Sequence, residues 1–249
     1  MTTAASIIPV IGHQPIGNFW TTDTVQKHPL GTKMTYADPY LGGGEAIYLQ
    51  MPTSTALQVG TLMSWDTATS FVAAATANTA NLGKAVGFLM NYVPSNASAQ
   101  YAWVVISGQF YAYATASVAA NTAFGITAAG QIGAIANGKQ ILNARVTKPA
   151  TTAPTFTVTT QSGSNVLRVS KTDGLFVGCP ISGTGIPAST YIGGLGPMGN
   201  SIIMTTSDLS TAANATASGS ITMTATYNDG TAYWNVVTCD RPFAQGQVT

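Results

Sequence analysis

Residues 101–120 read YAWVVISGQFYAYATASVAA, and no Asp, Glu, Lys or Arg lies between Lys84 and Lys139. The stretch is long enough to cross a membrane as a helix. Its internal order says otherwise. Ser107-Gly108-Gln109 interrupts it, and Phe110, Ala112 and Ala114 then alternate with Tyr111, Tyr113 and Thr115. Alternation is the period of a strand, whose successive side chains point to opposite faces. Aromatic and β-branched residues fill the first half, and no Lys or Arg flanks it closely as an interfacial anchor would. The stretch is therefore expected to form two strands joined at Ser107-Gly108-Gln109, with no membrane partner.

The same texture extends outward. EAIYLQM (45–51), ALQVGTLMSWD (56–66) and KAVGFLMNYV (84–93) precede it. AFGITAAGQIGAI (123–135) and ILNARVTKP (141–149) follow. Strands at short spacing with Gly and Asn turns predict an antiparallel barrel or sandwich. Phe71 to Ala80, rich in Ala but also in Thr and Asn, fits a helical turn or a loop equally. Near residue 150 the texture changes. KPATTAPTFTVTTQSGS (148–164) leads into very short strands (NVLRVS, LFVGCPI, STYIGG, SIIMTTS, SITMTATYN) before AYWNVVTCDRPF (232–243) restores the bulkier pattern. The expected architecture is thus all-β: a compact antiparallel β-barrel or sandwich (41–151 and 227–249), an inserted small β-module (152–226) and an extended N-terminal arm (1–40). An insertion of this kind leaves the host ends close together. Pro9, Pro15, Pro29 and Pro39 punctuate the arm and oppose regular pairing within it.

Composition narrows the function classes. Charged residues make up 7 % of the 249, against about 25 % in ordinary soluble domains. Glu45 is the single glutamate, and the net charge is +1. No basic patch exists to displace counterions, which argues against a nucleic-acid partner. A neutral, polar surface resists association poorly and suits a protein that lives inside an assembly. Cys179 and Cys239 are expected to be buried, reduced thiols. The N-terminal residues carry no basic n-region and no long apolar core, so no signal peptide is expected.

The search for chemistry yields little. GCPISGTGIPASTYIGG (178–194) contains G-x-G-x-x-A, but nothing after it sustains the helix that a dinucleotide fingerprint requires. A turn between strands is expected there. Gly42-Gly43-Gly44 lacks the following Lys-Ser/Thr of a phosphate loop and precedes Glu45, so it reads as a tight strand entry or a close backbone approach. His13 and His28 lie in the proline-rich arm, away from any rigid scaffold. Asp38 precedes Pro39 and reads as a turn residue. No catalytic residue, no cofactor site and no metal cluster is expected. The residues expected to carry function are contact residues: Ile7, Ile8, Phe19 and Trp20 on the arm, and Trp103, Tyr111 and Tyr113 at a capsid or subunit interface. Alternating aromatics in strands usually pack a core on one face and a partner on the other.

HPLGTKMTYADPYLGGGEAIYLQ (28–50), QVGTLMSWD (58–66), NLGKAVGFLMNYV (81–93) and QYAWVVISGQFYAYA (100–114) together resemble the head decoration, or cement, proteins of tailed bacteriophages and related virion auxiliary proteins. The resemblance covers roughly 27–147 and 232–244 and rests on turn and strand signatures. Ala46 stands where an aromatic residue would be expected. The module with GLFVGCPISGTGIPASTYI (174–192) is similar to a β-module that recurs in phage structural proteins. The resemblance implies a non-enzymatic protein, often a trimer, bound to the major capsid protein on the outer surface of the virion. A tail or fibre protein that recognises a host-surface receptor is the alternative.

Overall fold

The computed structural model describes residues 22–38, 40–66, 71–151, 154–196 and 200–246. Among them there is no helix; the strands are β1 (Lys33–Asp38), β2 (Gly42–Met51), β3 (Leu62–Trp65), β4 (Ala73–Ala75), β5 (Val86–Leu89), β6 (Gln100–Ala114), β7 (Gly125–Ala128), β8 (Gln131–Gly133), β9 (Ile141–Lys148), β10 (Thr155–Thr160), β11 (Val166–Val169), β12 (Pro180–Gly183), β13 (Thr190–Leu195), β14 (Ser201–Thr205), β15 (Gly219–Ala225) and β16 (Tyr233–Ala244). The expected all-β class holds: ten strands form one sheet and six close into a barrel inserted between β9 and β16.

β6 organises the sheet. It is one unbroken strand of 15 residues, not two strands joined at Ser107-Gly108-Gln109. Gly108 adopts φ +103°, so the chain bends there without leaving the ladder. Up to Gly108 the strand pairs with β2; from Ser107 onward it pairs with β16. The bend also explains the glycine triplet. A Cβ at position 108 would stand 2.5 Å from the Gly43 carbonyl oxygen, and one at position 44 would run into the Ser107 carbonyl oxygen and the Tyr36 ring. The backbones of β2 and β6 meet there with no room for side chains.

Beyond β6 the order runs β5, β3, β4, and then the sheet curls back on itself. Gln50 of β2 donates its N–H to Phe71 O at 3.2 Å, and Val72 bridges Gln50 in parallel. Inside this curl lies an apolar cluster that includes Leu49, Met51, Met63, Leu89, Val104 and Ile106. The opposite face carries a second, larger cluster with Tyr48, Phe88, Trp103, Val105, Phe110 and Tyr111. Both faces of β6 are consumed inside the chain. The aromatic and aliphatic excess on both parities of 101–115 therefore needs no subunit to cover it.

The barrel closes in the order β10-β11-β14-β13-β12-β15, with β15 returning to β10. TFTVTT of β10 shows how its sequence specifies this: Phe156, Val158 and Thr160 are buried, and the intervening threonines face out. Gly183 ends β12, and Thr184 to Ser189 form the turn into β13, so the G-x-G-x-x-A segment is a turn between strands. The barrel's ends do lie together: Ala225 N donates to Pro154 O at 3.0 Å, and β9 and β16 pair across the gap with Lys148 opposite Val236. Buried Asn235 fixes the exit, because its Oδ1 accepts from the N–H groups of Val118 and Ala150. Yet barrel and sheet share one core. Phe176 lies 4.4 Å from Tyr111, 5.9 Å from Tyr227 and 5.5 Å from Trp234, centroid to centroid. The Tyr227 hydroxyl donates to Gly174 O at 2.6 Å and ties the same corner.

Residues 33–38 fall within the stretch read from sequence as an arm, and they form a full strand. KMTYAD lies between Pro29 and Pro39 with no proline of its own, so every residue can pair with β2, from Lys33 opposite Ile47 to Asp38 opposite Gly42. Residues 22–32 also lie on the sheet: Asp23 and Tyr101 exchange two backbone hydrogen bonds of 2.9 Å.

Candidate functional site: an apolar cavity at the mouth of the curled sheet

The contact residues expected from sequence divide into three groups. Ile7, Ile8, Phe19 and Trp20 lie outside the described residues. Trp103 is 5 % exposed, wedged against Tyr48 at 5.0 Å and His28 at 5.3 Å. Tyr111 is 1 % exposed and sits where barrel and sheet meet. Neither Trp103 nor Tyr111 is available to a partner, because the chain itself covers them: residues 22–32 cross over the first, and the barrel's Phe176 seals the second. Tyr113 is half-buried. It packs 5.6 Å from Trp234 and lines a small cleft of about 180 Å³ with Tyr191 and Asp229.

Asp38, weighed from sequence as a turn residue, is structural, as are Asp208 and Asp229. Asp38 Oδ1 accepts the N–H groups of Tyr40 (2.8 Å) and Leu41 (2.7 Å), closing the turn into β2. Asp208 does the same in its own loop. N–H groups of Thr211 and Ser210 and the hydroxyls of Thr206 and Thr211 hold its carboxyl well below the usual carboxylate range. Asp229 is also lowered: partial burial opposes ionisation, but the N–H groups of Ala232 and Thr231 together with the hydroxyls of Thr231 and Tyr191 outweigh it. Both cysteines are buried free thiols. Burial raises both, and Cys239 is pushed up to about 12. Among the described residues no group of three or more His, Cys, Asp or Glu side chains is placed to hold a metal, and no helix is long and apolar enough to cross a membrane.

A well-formed cavity lies elsewhere, at one mouth of the curl. It encloses about 490 Å³ and is walled by Ile47, Trp65, Phe71, Ile106 and Phe243. That is the size and character of a binding site, and barrel mouths are frequent places for one. β16 builds its rim. The strand loses register with β9 between Cys239 and Phe243, and within that bulge Arg241 takes φ +49°. A bulky residue in the left-handed region costs about 1–2 kcal/mol and persists only where surrounding structure enforces it. The Arg241 guanidinium is ion-paired with Glu45 of β2, and Pro242 cannot donate to the ladder. The consequence is that Phe243 turns out to the cavity edge, 39 % exposed, opposite the equally exposed Leu142 of β9. Val72, also exposed, follows Phe71 on the far side.

Sequence reading missed this cavity. The signal that could have found it is Asp240-Arg241-Pro242, a proline inside an otherwise regular strand, which marks a bulge or an edge.

No protein-family model, no curated protein and no solved structure matches this chain.

Proposed function

We propose that the chain is a non-enzymatic virion structural protein that binds the outer surface of a phage capsid and stabilises contacts between major capsid subunits. The observation that carries this reading is the cavity with its apolar lip. Phe243, Leu142 and Val72 extend exposed apolar surface outward from a cavity whose one arginine is already neutralised by Glu45. Such a surface suits an apolar protein segment, with the exposed Lys33 ammonium in water at its edge. The decoration-protein resemblance of 28–50, 58–66, 81–93 and 100–114 supports the reading. Those segments build β1, β2, β3, β5 and β6, which include four of the five strands of the curl. A nearly uncharged chain also fits an assembly whose cohesion is insensitive to ionic strength.

The test is direct. Full-length chain is added to phage heads that lack it, and bound protein is measured by co-sedimentation and cryo-EM at about 50 mM and 500 mM salt. The expected result is many ordered copies on the outer head surface, at both salt concentrations. Absence of binding to heads, or binding only at the tail, would overturn the proposal. The alternative, a tail or fibre protein that recognises a host receptor, draws on one specific feature. The Tyr113–Tyr191–Asp229 cleft combines aromatic rings with a fixed carboxylate, where Tyr191 donates its hydroxyl to Asp229 at 3.1 Å. Saccharide binding abolished by Asp229→Asn, with no binding to heads, would favour it.

A further inference from the structure

We infer that the cleft where barrel and sheet meet binds an organic cation, with its guanidinium or alkylammonium head set against the Asp229 carboxylate. The inference goes beyond the capsid reading and does not rest on it; a neutral saccharide is the rival for the same cleft.

Three observations point to that ligand class. The first is an acceptor left over. Asp229 lies in the turn between β15 and β16. Its Oδ1 accepts the N–H groups of Thr231 (2.9 Å) and Ala232 (2.6 Å) and the Thr231 hydroxyl (2.9 Å). That oxygen closes the turn and fixes the direction of the carboxylate. Among the described residues, Oδ2 accepts the Tyr191 hydroxyl alone, at 3.1 Å. A carboxylate oxygen has about two acceptor sites, so Oδ2 keeps one for a ligand. Partial burial opposes ionisation here, but the hydrogen bonds outweigh it, so the charge is present at neutral pH.

The second is a missing counter-charge. Asp229 makes no ion pair among the described residues, and no Lys or Arg lines the cleft. All nine Lys and Arg residues of the chain lie among the described ones. The remaining segments, the N-terminal one included, therefore carry no Lys or Arg side chain to fill the cleft. A guanidinium or lysine-type head found there comes from another molecule.

The third is the wall. The rings of Tyr113, Tyr191 and Trp234 line the cleft, with Tyr113 and Trp234 5.6 Å apart between centroids. Aromatic faces attract cations, more strongly where water is excluded. Several polar tips of the lining are already committed. The Tyr191 and Thr231 hydroxyls go to Asp229, and Trp234 Nε1–H donates to Val59 O at 3.0 Å. The donors that a saccharide's oxygens would seek are thus largely used, whereas a cation needs only acceptors and ring faces. The volume, about 180 Å³, is below the roughly 300 Å³ at which drug-sized ligand sites begin, and fits a single head group. The frame is rigid as well. Asp208 accepts from Thr206, Ser210 and Thr211 and so fixes the loop that carries Ser207 and Leu209 to the rim. A site built before its ligand arrives loses less to ordering.

The test uses the full chain, isotopically labelled for NMR. It is titrated with methylguanidinium chloride, with tetramethylammonium chloride, with methyl glucoside, and with sodium chloride as the ionic-strength control. The Trp234 indole N–H and the amides of Thr231 and Ala232 are followed. Saturable shifts at these groups are expected with both organic cations and not with sodium chloride or the glucoside. Asp229→Asn, whose amide oxygen can still close the turn, should weaken cation binding at least about tenfold. Ser207→Lys brings an ammonium to the exposed rim and should suppress cation binding to a similar degree with an unchanged melting temperature. That second variant leaves the turn intact, so the outcome does not hang on how Asp229→Asn folds. Comparison of N-acetylarginine amide with methylguanidinium then identifies the source. Tighter binding of the former assigns the cation to a protein side chain; equal or weaker binding assigns it to a free small cation, and either result upholds the inference. Shifts matched by sodium chloride, undiminished binding in both variants, or shifts with the glucoside alone would overturn it, the last in favour of a saccharide. Head binding by the native chain is scored separately and decides only the capsid proposal.

Discussion

Replacing Phe176 with alanine tests whether the inserted barrel and the sheet are one cooperative unit. Phe176 is fully buried, and its ring packs on Tyr111, Tyr227 and Trp234, all outside the barrel. Truncating a buried phenylalanine costs about 3–5 kcal/mol, because the lost transfer energy adds to the cavity left behind. With a denaturant slope of about 3 kcal/mol/M, the urea midpoint should fall by about 1–1.7 M. The sequence supplies two independent probes. No tryptophan lies within 154–226, and Trp65, Trp103 and Trp234 lie on β3, β6 and β16, so their fluorescence reports the sheet. Cys179 lies inside the barrel, so in a Cys239→Ala background its labelling rate reports the barrel. If the core is shared, both probes show one transition in the parent, and Phe176→Ala moves both by the same amount. If Cys179 becomes reactive at low urea while tryptophan fluorescence keeps its midpoint, the barrel is energetically separate and the reasoning fails. The same logic forecasts the effect of excision. A short linker can join the adjacent ends, but Tyr111, Tyr227 and Trp234 would face water, so the sheet is not expected to survive alone.

Gly44→Ala should cost about 3 kcal/mol, because the added methyl meets the Ser107 backbone and the Tyr36 ring and neither can withdraw. Gly43→Ala, whose Cβ would find only the Tyr36 carbonyl at 3.1 Å, should cost much less; equal melting temperatures for the two would refute the close-approach argument. Cys179 and Cys239 should resist thiol reagents in the native protein and react fully in urea. Burial raises both thiols above their unfolded value of about 8.5, so the stability they contribute is complete below that pH. It is lost as pH rises toward 12, and burial of Tyr111 and Tyr227 adds to the loss above about pH 10. A urea midpoint unchanged between pH 7 and pH 11 would contradict this.

The strand content, the insertion point near 150 and the turn character of 183–188 could be read from residue order alone, because period-2 alternation and glycine punctuation are local signals. TFTVTT specifies its own inward and outward faces without reference to anything else. The triple glycine likewise announced a tight strand entry or a close approach, although not which of the two, nor which strand approaches. What the order of residues could not convey is where each strand's two faces end up. YAWVVISGQFYAYA is apolar on both parities, and that pattern is equally consistent with a covered strand or with a subunit contact. Only the return of β4 to β2, closing the curl, and the docking of Phe176 on Tyr111 decide for burial within one chain. The cavity is further still from local legibility. Its walls come from β1, β2, β3, β5, β6 and β16, and from Gly31 and Phe71, which adjoin β1 and β4. Its rim depends on a bulge at Arg241, φ +49°, whose guanidinium meets a carboxylate 196 residues away in sequence. Pairings that distant are set by the global packing of the sheet, because no short-range preference links the residues involved.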